Sequence, residues 1–248
     1  MRKIKKDIAV MVFGLLAYGS VKAQEGLNLE FNVRFNDDFD RGRNERMHKA
    51  TLTVQGSRSR YFMVSQSPYR NAGDQDLVFS PDTAMLVYTD QSEGLMLARE
   101  YGLDGYAFLV SDSLYPMQWE ITAEEKKIEA FSCIRAKCRF RGREYSAWFT
   151  PDLPLAYGPW KMGGLPGLIL ELQDSDENLV VKLASVSRNG DPITWPEDVR
   201  YSMSEHIQQT VRMIERLRAG ARANGTGDCL TCTGNSTYTF HLWEKLPQ

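Results

Sequence analysis

The chain has 248 residues, a formal net charge of −2, 42% hydrophobic residues and 25% charged ones. That length holds one domain or two small ones, and the composition is that of a globular protein, not a disordered or fibrous one. A charge so near balance exerts no global pull toward nucleic acid or anionic membrane, and nucleic acid is not expected as a partner.

The N-terminus carries an address. Arg2, Lys3, Lys5 and Lys6 form a basic segment, Ile8 to Tyr18 an apolar one, and Val21-Lys22-Ala23 ends it with a small residue. This is the layout of a signal peptide over residues 1–23, cut between Ala23 and Gln24. The apolar run is shorter than the ~20 residues that span a bilayer. No Cys follows it to take a lipid anchor. The mature chain is therefore expected to be exported, without an integral membrane span, to the periplasm, the outer-membrane surface or the extracellular space. Residues 24–248 read as a single β-rich domain. That compartment is oxidising, which favours disulfides for the four cysteines.

Leu27, Leu29, Phe31, Val33 and Phe35 alternate with polar residues and predict a half-buried strand. Phe39 to Arg46 reads as a charged loop. Lys49–Gln55 and Arg60–Ser65 flank Gly56-Ser57, a hairpin pattern. A polar loop follows over Ser67–Asp76. Ala84–Tyr88, Leu95–Ala98, Tyr106–Val110 and Gln118–Thr122 are further short strands, spaced as in an antiparallel sheet.

Over Ile128–Arg141, Ile134, Ala136, Cys138 and Phe140 fall on one side of a strand. Cys133, Arg135, Lys137, Arg139 and Arg141 fall on the other. The cationic side reads either as a stripe for an acidic ligand or partner, or as a solvated face or protected edge. Gly142 turns the chain into a partner strand, Glu144–Phe149.

The stretch Trp148–Asp174 is the centre of the chain. Pro166-Gly167 predicts a type II turn, and Leu168, Ile169, Leu170 and Leu172 a buried strand. Tyr157 and Trp160, beside Gly158-Pro159, read either as an exposed binding element or as a plug over one end of the sheet. Asn178–Val186 is another strand. Then the period changes: Ile207, Val211, Ile214 and Leu217 recur at helical spacing. Ser202 with Glu205 makes a capping box, and Asn224-Gly225 a stop, giving a helix over about 203–223. Residues 224–248 form a Cys-containing tail, with Tyr238, Phe240 and Leu242 as a candidate last strand. The expected fold is mainly β (α+β): an antiparallel, curved sheet or open barrel with one C-terminal helix packed on it.

Gly164-Leu165-Pro166-Gly167-Leu168-Ile169 resembles the hexapeptide that names the GLPGLI family of exported Bacteroidetes proteins. Ala147–Pro154, Gly158–Lys161, Trp119–Ile121 and Ala130–Cys133 also look like that family's flanking strands. The resemblance covers roughly residues 27–190. It implies an exported, β-rich protein without assigned biochemistry, encoded near outer-membrane TonB-dependent transporters, and it supplies no catalytic residues.

Cys229-Leu-Thr-Cys232 has redox spacing, but it follows a helix instead of opening one, where a thiol pKa would be lowered. Cys133 and Cys138 are ~16 Å apart on a straight strand, too far for a disulfide. Either the tail cysteines close on themselves, or one ties back to an exposed Cys133. A four-Cys site for Cu or Zn is the minor alternative, with His206 or His241 as added ligands. No G-x-S-x-G, H-E-x-x-H or P-loop occurs, and His48, His206 and His241 sit in no catalytic pattern. The sequence thus points away from an enzyme and away from a resident cofactor. It reads as an envelope binding or accessory protein beside a TonB-dependent transporter. The alternatives are a carrier of a lipid or apolar ligand, and a metal chaperone or thiol-redox protein using Cys229 and Cys232.

Overall fold

Leu29, Phe31 and Val33 are completely buried, while Asn28, Glu30 and Asn32, which alternate with them, are not. The same two-residue rhythm runs through Ala50, Leu52 and Val54, and through Tyr61 and Met63. Side chains of a strand alternate between faces, so these residues define one inner face. Each large apolar side chain buried there contributes about 1.5–3 kcal/mol.

The computed structural model describes residues 26–37, 44–65, 85–101, 107–115, 117–197 and 201–223. Its strands are β1 (Gly26–Asp37), β2 (Asn44–Gln55), β3 (Arg58–Ser65), β4 (Met85–Asp90), β5 (Leu95–Tyr101), β6 (Ala107–Ser113), β7 (Glu120–Ile128), β8 (Phe131–Phe140), β9 (Arg143–Thr150), β10 (Leu168–Asp174), β11 (Leu179–Gly190) and β12 (Tyr201–Ser202). They form one 12-stranded sheet in the order β12-β6-β5-β4-β3-β2-β1-β11-β10-β9-β8-β7. Two antiparallel meanders, β1–β6 and β7–β11, are joined where β1 pairs with β11. The short β12 is parallel to β6. Among the described residues the architecture is mainly β, one open sheet with one helix.

Nine strand spacings separate β6 from β8 in that order. Laid flat, they would measure about 43 Å at ~4.8 Å each. Yet Arg141, at the end of β8, forms an ion pair with Asp112 on β6. The sheet is therefore curled, and this pair ties one rim across its gap.

Helix α1 (Met203–Ala223) begins at the predicted capping box. The Ser202 backbone N–H donates to Glu205 Oε2 at 2.8 Å, and the Glu205 N–H donates to Ser202 Oγ at 3.3 Å. Met203, Ile207 and Thr210 face the sheet edge. Phe108 of β6 stacks edge-on against Tyr201 at 5.6 Å and His206 at 5.3 Å.

Three local expectations are corrected. Ile128 is not the start of a long strand but the end of β7. Glu129-Ala130 is a two-residue hairpin turn, with Glu129 at φ 51°. Cys133 is not exposed: only 1% of it reaches solvent, and burial pushes its thiol up to about 11. Gly167 is not a positive-φ residue; within the hexapeptide the positive φ belongs to Gly164, at 83°. Gly167 is needed for space, because a Cβ there would lie 2.2 Å from the Thr150 carbonyl oxygen. The expected signal peptide, the loop core around Phe39–Gly42, the loop Ser67–Asp76, and the tail with Cys229, Cys232, Tyr238, Phe240, Leu242 and His241 lie outside the described residues.

Candidate functional site

The inside of the curled sheet is occupied by the chain itself. Between β9 and β10, residues 151–167 fold back on the inner face. Their path is fixed by backbone hydrogen bonds from Leu168 N to Leu153 O, Ile169 N to Tyr157 O and Gly164 N to Ala156 O. Tyr157, Trp160, Lys161, Met162 and Leu165 are each at most 2% exposed. Trp160 lies 6.0 Å from the Phe140 ring on β8. Its neighbour Lys161 reaches Glu100 on β5, Nζ to Oε1 3.2 Å, and the Trp119 indole N–H donates to the Gly163 carbonyl at 2.8 Å. Of the two readings for Tyr157 and Trp160, the structure shows the plug: neither ring is presented at the surface.

The outer face holds a cleft of about 440 Å³. Its floor is two adjacent rows of side chains set by strand register. One row runs Asn28 (β1), Thr53 (β2), Arg60 (β3), Tyr88 (β4); the next is Thr51, Phe62, Leu86. Residues 191–197, which leave β11, form the wall. Asp191 lines the cleft, and the Ile193 backbone N–H donates to Gln55 Oε1 at 3.2 Å. Trp195 packs edge-on against Tyr88 at 5.8 Å and lies under the Arg58 guanidinium at 5.0 Å.

Arg58 is in turn held by Asp90, Nε to Oδ2 2.7 Å. Burial alone would raise the Asp90 carboxyl. Hydrogen bonds from Ser92, from Arg58 and from the Ser92 and Glu93 backbone amides outweigh that and hold it at about 2. A carboxylate thus anchors the arginine that supports the wall. Within the cleft, Thr53 Oγ1 donates to Asn28 Oδ1 at 3.0 Å, and the other end of the Asn28 amide is a hydrogen-bond donor.

The cationic series on β8 is divided. Arg135 is engaged by Glu124 at 2.7 Å and Ser146 at 2.8 Å, and lies 6.0 Å from the Trp148 ring. Lys126 covers the same ring at 4.4 Å and pairs with Glu171. Arg141 has left the strand, at φ 46°, for its pair with Asp112. Lys137 and Arg139 are exposed. Cys133 and Cys138 carry free, buried thiols, five residues apart and hence on opposite faces of β8. Burial raises the Cys138 thiol to about 12. No group of three or more His, Cys, Asp or Glu side chains is placed to hold a metal among the described residues. No helix among them is long and apolar enough to cross a membrane. The cleft residues were missed in the sequence because their mark, polar residues at outward positions, is shared by every half-exposed strand.

Residues 140–171 match the model of a family described as "Protein of unknown function (Porph_ging)". That span holds β9, the plug and the start of β10. No curated protein matches. A solved structure of PNGF-II in a P21 crystal is similar over 73% of this chain and 32% of that one, at 13% identity and a TM-score of 0.51. A second, in a C2 crystal, covers 71% and 30%, at 15% identity and a TM-score of 0.44. The chain spans about a third of the length of PNGF-II, and at this identity the likeness is one of fold alone.

Proposed function

We propose that this chain is an exported accessory protein of the Bacteroidetes envelope, of GLPGLI type. On this reading it binds, rather than transforms, a molecule or partner beside an outer-membrane TonB-dependent transporter. One observation carries the reading. The hexapeptide and the residues before it fill the inner face, locked by the buried Lys161–Glu100 pair. Recognition then falls to the outer surface, where register and the 191–197 wall shape a cleft. The basic, apolar and small-residue segments of residues 1–23 support export.

A lipid carrier needs an open apolar interior, and a ligand there would have to expel side chains such as Met162 and Leu165, which are at most 1% exposed. A four-Cys metal site would have to draw Cys133 and Cys138 from opposite faces of one strand. Both observations favour the binding reading over its alternatives. The test is co-purification of the tagged protein with a TonB-dependent transporter, from cross-linked outer membranes of its own host. Specific recovery of the transporter is expected, and recovery no higher than for an unrelated exported protein sinks the proposal.

A further inference from the structure

We infer that the outer cleft is a binding site for a neutral saccharide of one or two rings; this rests on the binding reading above and names the ligand class.

The floor dictates the chemistry. It is the face of a sheet, so the backbone N–H and C=O groups of β1–β4 point along the sheet and are consumed in its ladders. Recognition must come from side chains. An extended peptide draws much of its affinity from backbone groups on its partner, and the strands of this floor have none to spare. What it offers is a mixed set of side-chain donors and acceptors within two rows. The Arg60 guanidinium donates, the Asn28 amide donates, the Thr51 hydroxyl does both, and Asp191 accepts. Vicinal hydroxyls, which donate and accept together, are the natural complement to that set.

Charge points the same way. One cation, Arg60, and one carboxylate, Asp191, line the cleft, so its balance is near zero and a neutral ligand fits better than an anion. The apolar part is Tyr88, Phe62 and Leu86, lying beside the polar residues on the same floor. The C–H face of a pyranose is apolar and flat, and it packs on such a ring while its hydroxyls reach sideways. Adjacent strands lie ~4.8 Å apart, so a four-strand row spans about 14 Å, the length of a short saccharide. The volume of 440 Å³ lies in the range of small-molecule sites, about 300–1,000 Å³.

The experiment is saturation-transfer NMR on the purified protein with a panel of neutral mono- and disaccharides, including cellobiose, maltose and chitobiose. Affinities follow by calorimetry. Asp191→Ala, at an exposed position, and Arg60→Ala test the polar contacts, and Tyr88→Ala the stacking ring, each checked for an unchanged melting temperature. Binding of at least one saccharide, weakened about tenfold or more by Arg60→Ala or Asp191→Ala, is expected. No binding across the panel overturns the inference. So does saccharide binding indifferent to these variants, or binding of an oligoalanine peptide in preference to every sugar. Transporter association without sugar binding would remove this inference alone; sugar binding without transporter association would remove the accessory role and leave the cleft.

Discussion

Lys161 Nζ sits 3.2 Å from Glu100 Oε1, with 2% and 3% of the two side chains exposed. One residue belongs to the plug and the other to β5, so this contact fastens the plug to the far half of the sheet. Lys161→Met leaves a carboxylate in a site water does not reach, at a cost of about 3–5 kcal/mol. The double variant Lys161→Met/Glu100→Gln removes both charges and is expected to regain most of that loss. Denaturant midpoints measure both. A double variant no more stable than the single one would show that the pair is not what the plug depends on.

Asp90 supports the cleft wall through Arg58 and Trp195, and its carboxyl is held at about 2 against an ordinary 3.8. A folded-state value below the unfolded one adds stability that is complete above about pH 4 and fades as pH falls toward 2. Asp90→Asn should therefore be less stable than the parent at pH 7, with the gap closing near pH 2. Paired thermal melts across that range test it; a gap independent of pH would show that the carboxylate charge contributes nothing.

The hexapeptide's two glycines are expected to fail differently. At Gly167 a Cβ would meet the Thr150 carbonyl oxygen at 2.2 Å, and that group is backbone within the sheet. Gly167→Ala has to push two strands apart, at a cost of about 3 kcal/mol or more. Gly164 needs its φ of 83°, and a Cβ added there would lie 3.2 Å from Tyr115 Cβ, a tight contact without a backbone clash. Gly164→Ala carries mainly the left-handed penalty, about 1–2 kcal/mol. Chemical denaturation ranks the two, and the reverse order would overturn this account.

The thiols of Cys133 and Cys138 are raised to about 11 and about 12 by burial. At pH 8 neither should react with iodoacetamide in the folded protein, and both should react once it is unfolded. Peptide mass spectrometry reads each site separately. Rapid native labelling of Cys133 would contradict its burial and restore it as a partner for the tail.

Local signals in the sequence carried most of the fold. The alternation of Leu29, Phe31 and Val33, the Gly56-Ser57 turn and the Ser202/Glu205 cap each act within a few residues. A window of a few residues therefore holds their whole cause. The Glu129-Ala130 turn escaped notice because neither residue is Gly, Pro, Asn or Asp, the types that announce a turn.

What the sequence determined by itself is therefore the class of fold, the place of the helix and the strands that lead into the hexapeptide. The tertiary structure decided which residues meet. That Gly167 is required for space depends on Thr150, seventeen positions earlier, and that Arg141 closes a rim depends on Asp112 across the curl. The row Asn28, Thr53, Arg60, Tyr88 exists only through the register of three strand pairings. Periodicity says which way a side chain points. Register and curl, set by contacts distant in the chain, say what it points at.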